Sequence, residues 1–210
     1  MKKTQLKILA NAVSLFNQLG VGNVRLQDIA AGAGISAGNL SYHYKTKKDL
    51  MVAVLSYMQD AHEEMRSLNV NLFQQDDYTS ITKNYLNFQI GHRFFYRDIL
   101  EIKNLVPKAE TIFEKQMKQV LEFTKNGMHL AVDKGYIIPE PHTDHYYYFA
   151  KNIWAILNSW LIEREVLGEK KLSMEQVMTA IWELHYPYLT AKGKKLFPKV
   201  KTQIPALLNV

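Results

Sequence analysis

The sequence predicts an all-α protein in which a three-helix N-terminal head is joined to a larger helical-bundle body. Apolar residues recur every three or four positions along almost the whole 210-residue chain, which is the spacing of one face of an α-helix. Alternating apolar and polar residues, the pattern of a half-buried strand, form no run of useful length. We place the head in residues 1–50 and the body in residues 51–210.

The head contains three periodic stretches and the start of a fourth. The first has an apolar side that ends at Gly20, a residue type that commonly follows a helix. The second and third are short, over about 27–33 and 37–44, and Thr46 is placed to cap a fourth, longer helix. The polar stretch 69–78 then predicts a loop.

The body continues the helical pattern to about residue 190. Its periodic stretches cover about 81–102, 107–134, 144–167 and 174–190. Gly168 separates the last two stretches, and Ser173 is placed to cap the final one. The tail, residues 191–210, contains glycine and proline and receives no assignment.

Composition excludes several classes of protein. Without cysteine the chain forms no disulfide and no thiolate metal site. No apolar run reaches the roughly 18 residues that a membrane span needs. The N-terminus lacks the apolar core of a signal peptide, so we expect a cytoplasmic protein.

The positive charge is concentrated near the N-terminus. Residues 1–50 hold seven lysine or arginine residues and two acidic ones, so five of the six net positive charges lie in the first quarter of the chain. A concentrated basic segment attracts polyanions, of which nucleic acid is the most common. The alternative is a solvated surface whose bias is incidental.

Residues 24–50 predict a helix, a short turn and a second helix. Gly34 supplies the positive φ that a tight exit from the first helix requires. Ser36 is placed to cap the next helix through its hydroxyl group. Leu40 and Tyr44, four residues apart, anchor that helix to the core. This arrangement is a helix-turn-helix.

The outer face of the second helix carries small or polar side chains, which allow close approach to a major groove and offer hydrogen bonds to base edges. The residues are Ser36, Ala37, Gly38, Asn39, Ser41, Tyr42 and His43. Lys45, Lys47 and Lys48 follow, where the amides at the start of the fourth helix favour a phosphate.

This segment resembles the DNA-binding domain of TetR-type (tetracycline-repressor-like) transcriptional regulators over about residues 5–55. The body agrees with that family only in its helical layout. The matching motifs are Asp28-Ile29-Ala30, Ala33-Gly34-Ile35-Ser36, Gly38-Asn39-Leu40, Tyr42-His43-Tyr44 and Lys47-Lys48-Asp49-Leu50.

The resemblance implies a double-stranded DNA operator as the partner. The predicted DNA-contacting residues are Arg25, Gln27, Ser36, Ala37, Gly38, Asn39, Ser41, Tyr42, His43 and Lys47. Two of them depart from the family pattern. Arg25 stands where members often carry a capping threonine, which weakens the cap but adds a charge that reaches phosphate. Ser41 stands where many carry a tyrosine that holds the DNA backbone, so that contact is lost or passes to Tyr42.

The resemblance also implies a ligand-responsive regulator, most often a repressor, that binds a palindromic operator as a homodimer and is released by a small-molecule effector. The predicted effector pocket comprises Phe88, His92, Phe95, Tyr96, Met117, Thr124, Met128 and Tyr147. The predicted dimer interface, an intersubunit four-helix bundle, comprises Trp154, Leu157, Trp160, Leu161, Trp182 and Tyr186.

Other interpretations have weaker support. The run 32–37 fits a loose dinucleotide-binding pattern but lacks the preceding strand. His142 and His145 share a helix face and leave a metal site open, although a third ligand is missing, and we predict no metal and no cofactor. No P-loop, GxSxG or HExxH motif occurs, so we expect no enzyme. The alternative function is a helical small-molecule-binding protein or enzyme without a role at DNA.

Overall fold

The computed structural model describes residues 3–74, 77–167 and 174–198, and it confirms the all-α class. A 3-10 turn at Tyr186–Tyr188 follows the last named helix, and residues 191–198 are also helical. Among the described residues, extended pairing is limited to one isolated bridge between Ile137 and Leu189. The helices are α1 (Lys3–Leu19), α2 (Leu26–Gly32), α3 (Ala37–His43), α4 (Lys47–Gln74), α5 (Tyr78–Gly91), α6 (Arg93–Arg97), α7 (Ile99–Leu105), α8 (Lys108–Asp133), α9 (His145–Val166) and α10 (Met174–His185).

The chain folds as two compact units. The first comprises Met1–Asn71 and Asn87–Ile112, and the second comprises Leu72–Leu86 and Phe113–Val210. The first unit therefore extends past residue 50 and includes α6 and α7, while the domain boundary at residue 50 stays a prediction. Within the described residues, no helix has the length and apolar character that crossing a bilayer demands.

The core of the first unit is built on α1. Its apolar stripe is buried along one side and includes Leu9 and Phe16, as the spacing predicts. Ile29 of α2 and Leu40 of α3 are buried in the same unit. The ring of Phe16 lies 5.7 Å from that of Phe94 in α6, so this helix shares the core of the head.

The second unit has an aromatic core on α9 and α10. Tyr146 is fully buried, and its hydroxyl donates to the carbonyl of Ile138. Phe149 packs edge-on against His185, and Trp154 packs edge-on against Phe113. Aromatic pairs of this geometry add stability beyond the area they bury.

The predicted loop at 69–78 is wrong over its first half, because α4 continues as a helix to Gln74. The segment is polar, but it contains no glycine or proline to end a helix. Asn69 is buried, and its amide donates to the sulfur of Met65 one turn earlier. Polar composition alone therefore did not mark a boundary.

The single stretch predicted over 81–102 is three helices, α5, α6 and α7, with breaks at His92 and Asp98. Both residues leave helical geometry, with φ −129° and ψ 33° at His92 and φ −104° and ψ 21° at Asp98. A three-to-four-residue spacing of apolar side chains survives such one-residue breaks, so the sequence pattern did not reveal them.

The last predicted helix ends at His185 rather than Thr190, and Pro187 lies in the 3-10 turn that follows. Proline donates no backbone hydrogen bond, which favours the end of a helix there. The predicted separator Gly168 and cap Ser173 lie outside the described residues, as does 199–210. Residues 191–198 contact the end of α8 through Lys192, whose ammonium donates a hydrogen bond to the carbonyl of Lys134.

Candidate nucleic-acid interface

The turn between α2 and α3 has the geometry that the sequence predicts. Gly34 adopts φ +63°, a region that disfavours side chains with a Cβ. The amide of Ile35 then donates to the carbonyl of Ala30 at 3.0 Å and closes the end of α2. Four residues, 33–36, thus connect α2 to α3, and the two helices pack against each other.

The orientation of α3 is set by a cap at its start and by two anchors on its inner side. The Ser36 hydroxyl accepts a hydrogen bond of 3.1 Å from the amide of Asn39, which confirms the predicted cap. Leu40 and Tyr44 are buried, as predicted. Because these two anchors face inward, the opposite side of α3 faces outward.

The outward side of α3 is small, polar and largely exposed. Ser36, Ala37, Gly38, Asn39 and Ser41 are all exposed. The side chain of Tyr42 is 85% exposed, and its ring lies edge-on to that of the half-buried His43, with 5.3 Å between centroids. Each residue predicted to face the groove therefore has surface that a duplex could reach.

Arg25 and Gln27, also predicted to contact DNA, are exposed at the start of α2. The Asp28 carboxylate accepts a 2.8 Å hydrogen bond from the amide of Arg25. This bond supplies half of a capping box, so α2 keeps a cap although a capping threonine is absent. The guanidinium of Arg25 is thus not required for capping.

The start of α4 is closed by a reciprocal capping box, which confirms the predicted Thr46 cap. The amide of Asp49 donates to the Thr46 hydroxyl at 3.1 Å, and the Asp49 carboxylate accepts from the Thr46 amide at 3.0 Å. Lys45 and Lys48 are exposed beside this cap. They place two exposed cations close to the end of α3.

Lys47, predicted to contact phosphate, is only half-exposed. Its ammonium donates to the carbonyl oxygen of Val21 at 2.5 Å. The amide of Val21 in turn donates to a carboxylate oxygen of Asp98 at 2.9 Å. Val21 and Asp98 lie 77 residues apart, and no local sequence signal indicates either residue or connects them.

The residues predicted for the effector pocket fall into both units. In the first unit, Phe88, Phe95 and Tyr96 are buried. The ring of His92 lies 4.6 Å from that of Phe88, and burial lowers the pKa of His92. The ring of the buried His62 lies edge-on to that of Phe88 at 5.0 Å, and no sequence pattern had indicated this residue.

In the second unit the predicted pocket residues differ in exposure. Met128 is buried, whereas Met117 and Thr124 are half-buried along α8. Tyr147 is 40% exposed, because α9 turns its neighbour Tyr146 inward instead. Membership of one pocket stays a prediction for all eight residues.

The residues predicted for the dimer interface are mostly part of the chain's own core. Trp154, Leu157, Trp160 and Leu161 expose only 3% to 7% of their surface within one chain, and their part in a dimer interface stays a prediction. Trp182 is half-buried, and Tyr186 is 46% exposed. An apolar helix pattern does not distinguish the side that faces the chain's own core from the side left for a partner.

His142 and His145 lie together at the start of α9. Nδ1 of His145 is 3.1 Å from Nε2 of His142, and Nε2 of His145 is 3.0 Å from the hydroxyl of Tyr188. In the described parts of the chain, no group of three or more histidine, cysteine or acidic side chains is arranged to hold a metal ion. The pair thus joins two elements of the second unit through hydrogen bonds.

The helix α3 exposes small side chains on its outer side and is anchored to the core by its inner side. A tight turn precedes it and exposed lysines follow it. This arrangement defines a helix-turn-helix DNA-binding protein. Sequence comparison agrees with this class. Residues 8–54 match the bacterial regulatory proteins of the tetR family, and residues 56–197 match a bacterial transcriptional repressor family named TetR. The chain belongs to the TetR family of bacterial transcriptional regulators.

Individual relatives are distant. The probable HTH-type transcriptional regulator YttP of Bacillus subtilis is 25% identical over 57% of this chain, and the match spans 61% of YttP. The HTH-type transcriptional regulator RutR of Escherichia coli K12 is 22% identical over 81% of this chain and 86% of RutR. A TetR-family regulator from Marinobacter aquaeolei VT8 has the same fold, with a TM-score of 0.80, 21% identity and coverage of 97% of this chain and 99% of that one.

Proposed function

We propose that this protein is a repressor that binds a palindromic operator as a homodimer and leaves it when a small molecule binds the body. The observation that carries the proposal is the outward side of α3, where five small or polar residues and Tyr42 are exposed while Leu40 and Tyr44 hold the helix from behind. DNA in the cytoplasm is the target.

In this proposal α3 enters the major groove and reads base edges. Asn39 lies in its first turn, and asparagine pairs with the N6 and N7 atoms of adenine through two hydrogen bonds. Ala37 and Gly38 keep the helix axis close to the groove floor because they have little or no side chain. Tyr42, which is exposed, extends to the thymine methyl group or the sugar-phosphate backbone.

Phosphate contacts come from the cations that flank α3. Arg25 stands at the start of α2, and Lys45 and Lys48 stand at the start of α4. Such contacts hold the register of the protein on the duplex without reading sequence. Each one should lower log K by about 0.9 per unit of log salt concentration.

A single α3 contacts few base pairs, so useful affinity requires two heads. Two-fold pairing places two recognition helices about 34–36 Å apart on one side of the duplex, which predicts a palindromic operator. Five exposed residues of α9 form one narrow stripe along the helix. Their spacings are seven, four, three and four positions, which resemble the spacing of residues at a coiled-coil interface. They are Tyr148, Ala155, Ser159, Ile162 and Val166, and we propose this stripe as the dimer face.

The primary test is selection of bound duplexes from a random pool by the purified protein. We expect a palindromic consensus, and we expect Asn39→Ala to change the preferred base at one position of each half-site. Asn126→Ala, the same change at an exposed position of α8, serves as the matched control. A consensus unaltered by Asn39→Ala would show that a different face of the head reads the bases.

Sedimentation tests the dimer face. We expect the wild-type protein to sediment as a dimer at micromolar concentration and Ile162→Glu to sediment as a monomer, because a buried unpaired carboxylate opposes association. Leu100→Glu is the control, since Leu100 is a 76% exposed apolar residue of α7 outside the α9 stripe. A dimer that survives Ile162→Glu would move the interface elsewhere.

We propose that the effector is apolar or aromatic and that its site includes Phe88 and His92. The neighbouring rings of His62, Phe88 and His92 support this, because they bring aromatic surface and ring nitrogens together in the first unit. The test is a screen of aromatic compounds for those that weaken duplex binding. An enzyme or a pure ligand-binding protein would instead be indifferent to duplex DNA.

A further inference from the structure

We infer that Asp98 and Arg97, at the junction of α6 and α7, are positioning residues for DNA binding. They have no part in the exposed face of α3 and are assigned no contact with the duplex. Their role is to hold the end of α1 and the turn that leads into α2, so that the head has the geometry the operator requires. The inference rests on the proposed function, because it concerns the same interface.

The Asp98 carboxylate joins two distant parts of the first unit. One carboxylate oxygen accepts from the backbone amide of Val21 at 2.9 Å. The guanidinium of Arg97 donates to both oxygens, from Nε at 2.8 Å and from Nη2 at 3.0 Å. The exposed fractions of the two side chains are 20% for Arg97 and 14% for Asp98. Because the pair is partly buried and bidentate, its orientation is fixed.

Arg97 also closes the C-terminal end of α1. Its Nη2 donates to the carbonyl of Phe16 at 2.7 Å, and its Nη1 donates to the carbonyl of Asn17 at 3.3 Å. The last carbonyls of a helix have no partner within the helix, and they carry its negative dipole end. The Phe16 carbonyl also accepts from the amide of Gly20 at 3.0 Å, so the guanidinium is a second donor there and compensates the dipole.

A second contact ties α1 to α6. The side chain of Asn17 accepts from the amide of Phe94 at 3.0 Å and donates to the carbonyl of Gly91 at 2.7 Å. Arg93 donates to the carbonyl of Asn17 at 2.9 Å. Asn17, near the end of α1, is thus bonded to Gly91 at the end of α5 and to Arg93 and Phe94 at the start of α6.

The connection to the DNA-binding helices passes through Val21. This residue is fully buried, its amide is bound by Asp98, and its carbonyl is bound by Lys47 at the start of α4. Val24, also buried, lies just before the cap of α2. One residue therefore joins the α6–α7 junction, the turn before α2 and the first turn of α4.

The test measures the affinity and salt dependence of binding to the selected duplex. We expect Asp98→Asn to weaken binding about tenfold, the size of one lost charge-assisted hydrogen bond, with an unchanged salt slope. The change in charge alone would strengthen duplex binding, because the loss of a negative charge increases the attraction to a polyanion. Asp144→Asn, an identical charge change at the exposed start of α9, should not weaken binding.

A second variant keeps the net charge. Arg97→Lys retains the positive charge but removes the planar guanidinium that contacts Asp98 and α1 together. We expect a severalfold loss of affinity with the same salt slope. Circular dichroism verifies that both variants are folded at the assay temperature. If both bind like the wild type, or if the salt slope falls by about one, the positioning role is wrong.

The two proposals fail in different ways. If the wild-type protein selects no duplex, the proposed function is wrong and the positioning role falls with it. If the wild type binds and the two variants are indistinguishable from it, only the positioning role is wrong.

Discussion

The ammonium group of Lys47 donates a 2.5 Å hydrogen bond to the carbonyl oxygen of Val21, so the first turn of α4 is joined to the turn after α1. Lys47 is also the residue predicted to contact a phosphate. An ammonium group has three donors, so one bond to Val21 leaves two for DNA. The two roles are therefore compatible, and they are separable by experiment.

Replacement of Lys47 and of Lys48 by alanine should have different effects on stability. Lys47→Ala should lower the free energy of unfolding by about 1 kcal/mol, because the carbonyl of the buried Val21 loses this partner. Lys48→Ala should change it by less than about 0.5 kcal/mol, because Lys48 is exposed. Urea denaturation measures both values.

The same two variants should both flatten the salt dependence of duplex binding, by about 0.9 in the slope for each lost phosphate contact. If Lys47→Ala lowers stability but leaves the slope unchanged, the ammonium serves only to fix α4, and Lys48 carries the contact.

Two glycines of the helix-turn-helix should respond oppositely to alanine. Gly34 has φ +63°, so Gly34→Ala should destabilise the protein by about 1–2 kcal/mol. Gly38 lies in the first turn of α3, and a Cβ there would meet only the Ser36 hydroxyl oxygen at 3.9 Å. Gly38→Ala should therefore stabilise α3 by up to about 1 kcal/mol.

Thermal denaturation compares these glycine variants directly. Gly38→Ala should nevertheless weaken duplex binding, since the added methyl group stands on the groove side of α3. A Gly34→Ala variant as stable as the wild type would mean that the turn does not require a left-handed residue.

Tyr42 should contribute to the affinity for DNA but not to the stability of the fold. Its side chain is 85% exposed, so Tyr42→Ala loses almost no buried surface and should change the free energy of unfolding by less than about 0.5 kcal/mol. Affinity for the selected duplex should fall several-fold. Tyr44→Ala is the contrasting variant, because Tyr44 is buried and its loss should destabilise the fold by about 3 kcal/mol. Fluorescence anisotropy with labelled duplex and urea denaturation separate the two effects.

The stability of the fold should fall in mild acid because of His185. Burial against Phe149 and Trp182 lowers the pKa of His185 to about 4, and the hydrogen bond from its ring to the carbonyl of Ile181 only partly opposes the shift. The unfolded chain takes up the proton near pH 6.5, so the contribution of His185 is complete above that pH and is lost as pH falls toward 4.

Urea denaturation should show a loss of about 1–2 kcal/mol between pH 7 and pH 5, reduced from the full linkage value because the ring keeps some contact with solvent. His92, whose pKa is also lowered by burial, adds a contribution of the same sign. His185→Phe should flatten the pH dependence, and an undiminished slope in that variant would assign the effect to other groups.

The sequence predicted the head far better than the body. The ends of α2 and α3 lie within one residue of their predicted positions, because Gly34 and Ser36 mark a turn and a cap through their own chemistry. The helix break at Asp98 was not predicted, since aspartate is common both inside and between helices. The side of α9 that meets a partner stays a prediction, because the apolar residues of this helix are not confined to one side.

The amino-acid sequence by itself determined the helical class, the recognition helix with its exposed residues, and the caps at Ser36 and Thr46. These depend on interactions within one or two turns of chain, which neighbouring residues fully specify. Only the tertiary structure decided that Asp98 binds the amide of Val21, that Lys47 binds its carbonyl, and that Trp154 faces the core while Ile162 faces outward. Such contacts join residues far apart in sequence, and their partners are selected by how whole helices pack, which local periodicity does not encode.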